Sequence, residues 1–178
     1  MTLKQKNIRI HKIYTSPNHN YFTNKRFKVG DAKTFEHKSI KLLTNQGLKN
    51  DRFEFSKYPI TFISFEVATE VCNKLEIPLK LELFRRNIVI SGIHLNSLIG
   101  QKFKVGDIEF EGISHCAPCT WMNAVMKKGA YSLMVGRGGL RAKVINGGTL
   151  KLEDEILYSD ISMEESPLTA LKKPKIPK

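Results

Sequence analysis

Two sulfurs stand three residues apart in the run Cys116-Ala117-Pro118-Cys119, and they are the side chains of this chain best suited to nucleophilic or soft-metal chemistry. The thiolate is the reactive form of cysteine. It is favoured near a helix N-terminus, where unpaired N–H groups and the dipole attract an anion. Pro118 suits a first helical turn, because its missing donor would be unpaired there anyway. A helix starting at Pro118 or Cys119 would carry Trp121, Met122 and Val125, take Lys127 and Lys128 near its end, and stop at Gly129. On spacing alone the pair could be a dithiol redox couple, half of a zinc site, or one nucleophile with a bystander. Cys119, placed in that first turn, is the sulfur expected to do the work.

Zinc needs about four ligands. No second Cys-x-x-Cys run exists, and His11, His19, His37, His94 and His115 are scattered along the chain, so a structural zinc site is not expected. Cys-x-Pro-Cys is similar to the thioredoxin redox pair, but that motif belongs early in a βαβ unit, and here a β-rich stretch precedes it. The third cysteine, Cys72, falls on an apolar helical stripe and reads as a buried small hydrophobe. An odd cysteine count does not make a disulfide framework, which places the chain in a reducing cytoplasm.

The candidate anion-binding groups are arginines. Arg85-Arg86-Asn87 precedes the β-branched run Ile88-Val89-Ile90, and Gly47-Leu48-Lys49-Asn50-Asp51-Arg52 supplies a third guanidinium. Arginine suits bidentate contact with phosphate, although each of these could equally be exposed or structurally paired. Gly136-Arg137-Gly138-Gly139 lacks the spacing of a P-loop or a dinucleotide fingerprint and reads as a turn. The net charge is +12, of which Lys172, Lys173, Lys175 and Lys178 contribute four. The excess favours an anionic partner. With one Trp and no aromatic-interleaved basic stripe, a nucleic-acid partner is not expected. No apolar run approaches the roughly 18 residues of a membrane span, and the N-terminus does not read as a secretory signal.

These residues must be positioned by a mostly β scaffold. Asn7–Tyr14 alternates apolar and polar, with Ile8, Ile10 and then Ile13 on the apolar side. Residues 16–24 read as a loop. Arg26-Phe27-Lys28-Val29-Gly30-Asp31 and Lys102-Phe103-Lys104-Val105-Gly106-Asp107 read as the same strand-and-turn pattern twice. Pro59–Ile63 reads as a strand, followed by a helix capped by Ser64, carrying Phe65, Ala68, Val71, Cys72 and Leu75, and ended by Pro78. Further strands are expected at 88–90, 108–113, 141–145 and 149–152, with a short helical piece at 131–135. The last two strands flank Asn146-Gly147, a hairpin signal. Many short strands and only two or three helices point to a mainly β fold, a closed or partly closed β-barrel with two or three inserted short helices. The expected division is one domain over 1–160 and a basic, disordered tail over 161–178.

Seven segments in order resemble the MOSC domain family, related to the C-terminal part of molybdenum cofactor sulfurases. They are the 47–52 run, Arg85-Arg86-Asn87-Ile88-Val89, Leu95-Asn96-Ser97-Leu98-Ile99-Gly100, Phe103-Lys104-Val105-Gly106-Asp107, the cysteine run, Arg137-Gly138-Gly139-Leu140-Arg141-Ala142 and Gly147-Gly148-Thr149. The resemblance spans about Ile8 to Asp154 and implies a MOSC-type β-barrel that binds the molybdenum cofactor or carries sulfur for its sulfuration. In amidoxime-reducing proteins with a similar domain, the second cysteine of a Cys-x-x-Cys run ligates molybdenum, a role that would fall on Cys119. Their cofactor contacts would map to Arg52, Arg85 and Asn87. The extra N-terminal β-barrel region of those proteins is not expected here, nor is a pyridoxal-phosphate domain, so sulfur would come from a separate cysteine desulfurase. The alternatives are a molybdenum-dependent reductase of N-hydroxylated compounds, fed by a reductase partner, and a non-enzymatic anion-binding module. A molybdoenzyme or a pterin ligand is the other partner the resemblance implies.

Overall fold

The alternation of Ile8, Ile10 and Ile13 changes parity in mid-run, and the structure gives the reason. All three side chains enter one core, in strand β1 (Lys4–Thr15). A register shift between Ile10 and Lys12 re-aims the strand so that Ile13 points inward like Ile8 and Ile10. The computed structural model describes residues 4–20 and 28–172. After β1 come β2 (Phe35–His37), β3 (Ser39–Leu42) and β4 (Ile60–Ser64), then helix α1 (Phe65–Leu75) and β5 (Ile88–Ser91). Next are β6 (Lys102–Val105), β7 (Ile108–His115), α2 (Trp121–Val125) and α3 (Ala130–Met134). The last strands are β8 (Leu140–Asn146), β9 (Gly148–Lys151) and β10 (Asp154–Ser159). Two 3-10 turns, Leu81–Phe84 and Leu95–Leu98, flank β5.

Seven strands close a barrel in the order β1-β10-β6-β7-β8-β4-β5, with β5 pairing back to β1 and β2 appended to β1. All neighbours are antiparallel except β4 and β5, which run parallel with α1 as the crossover. A parallel pair is covered on both faces and reads as an unbroken apolar run. Ile60, Phe62, Ile88 and Ile90 fill the barrel, while Ile63 and Val89 face the helices on the other side. Inside the barrel Phe62, Phe103 and Phe110 contact one another at centroid distances of 5.4–6.0 Å. The second core holds Val67, Val71, Cys72 and Leu75 of α1 against Trp121, Met122, Ala130 and Met134. Cys72 is buried there, as its place on the stripe requires. Ser64 caps α1, its Oγ accepting from the Val67 N–H at 3.2 Å. The helix ends at Leu75, three residues before Pro78, because Glu76 turns left-handed with φ +54°. Among the described residues no helix is long and apolar enough to cross a membrane.

Four expectations need correction. β8 and β9 do not form the hairpin that Asn146-Gly147 suggests. Both edges of β8 are already taken by β7 and β4, so β9 turns away and pairs with β3. The helix after the cysteine run starts at Trp121 and ends at Val125, and Gly129, at φ +103°, opens α3 instead of closing α2. Of the repeated strand pattern, Arg26 and Phe27 lie outside the described residues, and Lys28–Asp31 contains no strand. That segment is held by side chains: the Trp121 indole donates to the Lys28 carbonyl at 2.8 Å, and the Ala32 N–H donates to Asn20 Oδ1 at 2.8 Å. The expected tail also departs from a frayed end over its described part, 161–172. Met163 is buried in the barrel core, His94 Nε2 donates to the Thr169 carbonyl at 3.1 Å, and the Leu171 N–H donates to Gly136 at 2.9 Å.

Candidate functional site

Strand alternation builds the floor of the site. In β8, Leu140 and Ala142 point into the barrel and are fully buried, so Arg141 between them points out. Its register partner on β4, Thr61, faces the same side. Over this outer wall lies a cavity of about 200 Å³, lined by Arg52, Arg85, Arg86, Arg141, Phe53 and Cys119 among others. Four guanidiniums therefore meet in one place, with the carboxylate of Asp51 3.4 Å from one of them, Arg52. The sequence-predicted Cys119, Arg52 and Arg85 are brought together there.

The four arginines are not equivalent. Arg85 is spent on the loop before β2: its Nη1 donates to Thr34 Oγ1 at 2.8 Å and its Nη2 to the Asn18 carbonyl at 2.8 Å. Arg86 is spent on the carbonyls of Gly138, Phe84 and Cys116 at 3.0–3.2 Å. Arg52 sends Nη2 to the Arg85 carbonyl at 2.8 Å and sits 3.4 Å from Asp51, yet its buried Nε has no partner among the described residues. Asp51 is itself engaged by the N–H groups of Ser16 and Phe53 at 2.9 and 3.0 Å, so it offsets only part of this charge. Burial lowers the Arg52 guanidinium to about 10, which leaves it charged at neutral pH. Arg141 makes no hydrogen bond or ion pair among the described residues. It lies 5.0 Å from the centroid of the Phe53 ring, which Arg52 approaches to 4.6 Å. Toward the described residues its five donors are unspent.

Asn87 is placed elsewhere. It is 1% exposed, and it does not line this cavity. Its Oδ1 accepts from the Thr61 N–H at 3.0 Å and the Thr61 hydroxyl at 2.7 Å, while its Nδ2 donates to the Tyr14 carbonyl at 3.1 Å. The amide thus ties β1, β4 and the entry to β5. Sequence reasoning counted Arg86 among the anion-binding candidates without mapping a cofactor contact to it, and it did not single out Arg141. The available signal for Arg141 was its place as the polar member between two inward apolar residues, next to a glycine pair.

The sulfurs differ as well. Cys116 is buried, and Cys119 is half-buried at the cavity. Cys119 lies two residues before α2, its carbonyl accepting from the Met122 N–H at 3.0 Å in a turn. That geometry replaces the expected first helical turn, and the helix-dipole argument for its thiolate weakens with it. Cationic neighbours are what the cavity offers an anionic sulfur instead. Two histidines lie close by and are neutral. His19 lines the cavity and is pushed down to about 4 by burial, then by Arg52, Arg85 and Arg141. His115 is pushed down to about 4 by burial and Arg86.

Chemically, the site offers unspent guanidinium donors for an oxyanion and one accessible thiol within the same cavity. Among the described residues no group of three His, Cys, Asp or Glu side chains is placed to hold a metal ion. The enclosed volume lies below the roughly 300 Å³ at which pockets for whole organic ligands begin. It matches an oxyanion with part of a ring.

The MOSC domain family profile matches residues 50–157, more than half of the chain. No curated protein matches the sequence. Among solved structures the chain is similar to the YuaD protein from Bacillus subtilis, at 15% identity and a TM-score of 0.71, covering 90% of this chain and 100% of that one. It is also similar to YiiM from Geobacillus stearothermophilus, at 13% identity and a TM-score of 0.62 over 85% and 74% of the two chains. YiiM from Escherichia coli has 14% identity and a TM-score of 0.59, over 94% and 75%. At these identities the likeness concerns the fold.

Proposed function

We propose that this chain, which belongs to the MOSC domain family, binds a molybdenum cofactor that enters the arginine-lined cavity with its phosphate and part of its ring, with Cys119 as the protein's ligand to the metal. The observation that carries this reading is the unspent guanidinium of Arg141 in the same cavity as the accessible Cys119 sulfur. Arg141 and the orphaned Nε of Arg52 would hold the cofactor's phosphate, as charge-assisted donors suit that group. Phe53 and Trp121 line the cavity and offer apolar cover for a planar ring. When bound, the cofactor would supply a two-electron redox centre. The chain's own part would be to orient it, to hold the anion away from water and to present one thiolate.

A second reading has Cys119 carry a persulfide received from a separate desulfurase and pass it to a molybdoenzyme's cofactor. It is favoured by the contrast between half-buried Cys119 and buried Cys116, since a partner could reach only the former. Reduction of N-hydroxylated compounds would need an electron-donating partner as well as the cofactor. An amidoxime assay with a reductase tests that activity.

The test of the main reading is metal analysis together with fluorescence of oxidised pterin, on protein purified from a host that makes the cofactor. Molybdenum and pterin near one per chain support it. Sulfane sulfur on Cys119 without pterin selects the carrier reading, and the absence of all three removes both.

A further inference from the structure

Arg85 has φ +57°, a left-handed turn that sends two consecutive arginines in different directions. Arg85 goes to the loop before β2. Arg86 goes to the cysteine run, and its planar fork meets three backbone carbonyls there. Nε donates to Gly138 at 3.0 Å, Nη1 to Phe84 at 3.0 Å, and Nη2 to Cys116 at 3.2 Å with a longer contact to Ala117 at 3.4 Å. One guanidinium thus ties the entry to β5, the turn before β8 and the exit of β7.

The same turn is packed against the cysteines by glycine. A Cβ on Gly138 would lie 2.6 Å from the Cys116 carbonyl oxygen and 2.8 Å from Pro118 Cδ. The Cys116 N–H donates to the Gly139 carbonyl at 2.7 Å, and the Gly138 N–H donates to His115 Nε2 at 3.1 Å. His115 must therefore be neutral, with its proton on Nδ1. Both cysteines border the cavity, but Cys116 is 1% exposed while Cys119, three residues on, is only half-buried.

We propose that Arg86 is the positioning residue of the cysteine run: its guanidinium locks the Cys116–Ala117 backbone onto the Gly138 turn, and so sets which thiol is presented and which is withheld. This rests on the reading of Cys119 as the working sulfur. A lysine would supply the same charge but a single point donor, and could not span the three carbonyls.

Native-state alkylation with iodoacetamide, read by peptide mass spectrometry, tests it, with Cys72 as an internal reference. Cys72 is 1% exposed in the helix-side core and has no link to Arg86. In the wild-type chain Cys119 is labelled and Cys116 and Cys72 are protected. In Arg86→Lys and Arg86→Gln, Cys116 labelling rises at least tenfold while Cys72 stays protected. Gly138→Ala, which pushes the turn off the Cys116 carbonyl, gives the same pattern by an independent route. The proposal is overturned if Cys116 stays protected in both Arg86 variants, or if Arg86→Lys behaves as wild type, which would leave only a charge. It is also overturned if Cys72 and Cys116 become labelled together, which would mean general loss of stability. Labelling requires no cofactor. A wild-type chain without molybdenum that shows this selectivity keeps the positioning role and loses the proposed function; a loaded chain without the selectivity does the reverse.

Discussion

Arg141 stands 5.0 Å from the centre of the Phe53 ring and donates to no group among the described residues. Arg52 shares the ring, and the carboxylate beside it, Asp51, is already held by two backbone N–H groups. An arginine in such surroundings contributes charge to the cavity and nothing evident to the fold.

Arg141→Gln should therefore weaken oxyanion binding without weakening the protein. Titration calorimetry with inorganic pyrophosphate should show affinity falling about tenfold or more, the scale of one or two hydrogen bonds to a charged group. Urea midpoints should stay level or rise slightly, because removing one of four clustered cations relieves repulsion. Equal affinity in the variant would remove Arg141 from the site.

Asn87→Ala should do the opposite. It strips partners from the buried Thr61 N–H and hydroxyl and from the Tyr14 carbonyl, where an unsatisfied group costs about 1–3 kcal/mol. Denaturant unfolding should show a loss on that scale, with pyrophosphate affinity retained in the folded fraction. A stable variant that has lost affinity would make the amide a ligand-binding group after all.

Stability should fall as pH drops from about 6.5 towards 4. His19 and His115 ionise near 4 in the folded chain, below the ordinary histidine value, so over this window the unfolded chain binds more protons than the folded one. Stability that is fully present above the unfolded value is lost through the window and levels off below about 4, as far as these two groups are concerned. Thermal midpoints across pH 4–7 should show this slope, and His115→Gln should flatten it. An unchanged slope in that variant would exclude His115 as a source.

The scaffold was legible where alternation decides the face. Ile8, Ile10 and Ile13 announced β1, and the unbroken Ile88-Val89-Ile90 announced a strand covered on both sides. What alternation cannot give is the partner. β9 looked like the return arm of a hairpin, but the edges of β8 were occupied. The same holds for the site. Cys119, Arg52 and Arg85 do meet in one cavity, because their segments converge on the outer face of β4 and β8. Which guanidinium keeps free donors depends on carbonyls distant in sequence, at Asn18, Phe84, Cys116 and Gly138, and no local pattern reveals that. Asn87 next to a buried strand reads equally as a ligand or as a structural amide until Thr61 and Tyr14 are seen around it.

The central claim is that one sulfur, Cys119, completes an anion site for a metal-bearing cofactor. Molybdenum and pterin content should be measured side by side for wild-type chain and Cys119→Ser, both purified from a cofactor-competent host. The account predicts both near one per chain in the wild type, and molybdenum at least tenfold lower in Cys119→Ser while its pyrophosphate affinity is kept. Equal molybdenum in the two proteins, or none in the wild type, would contradict it.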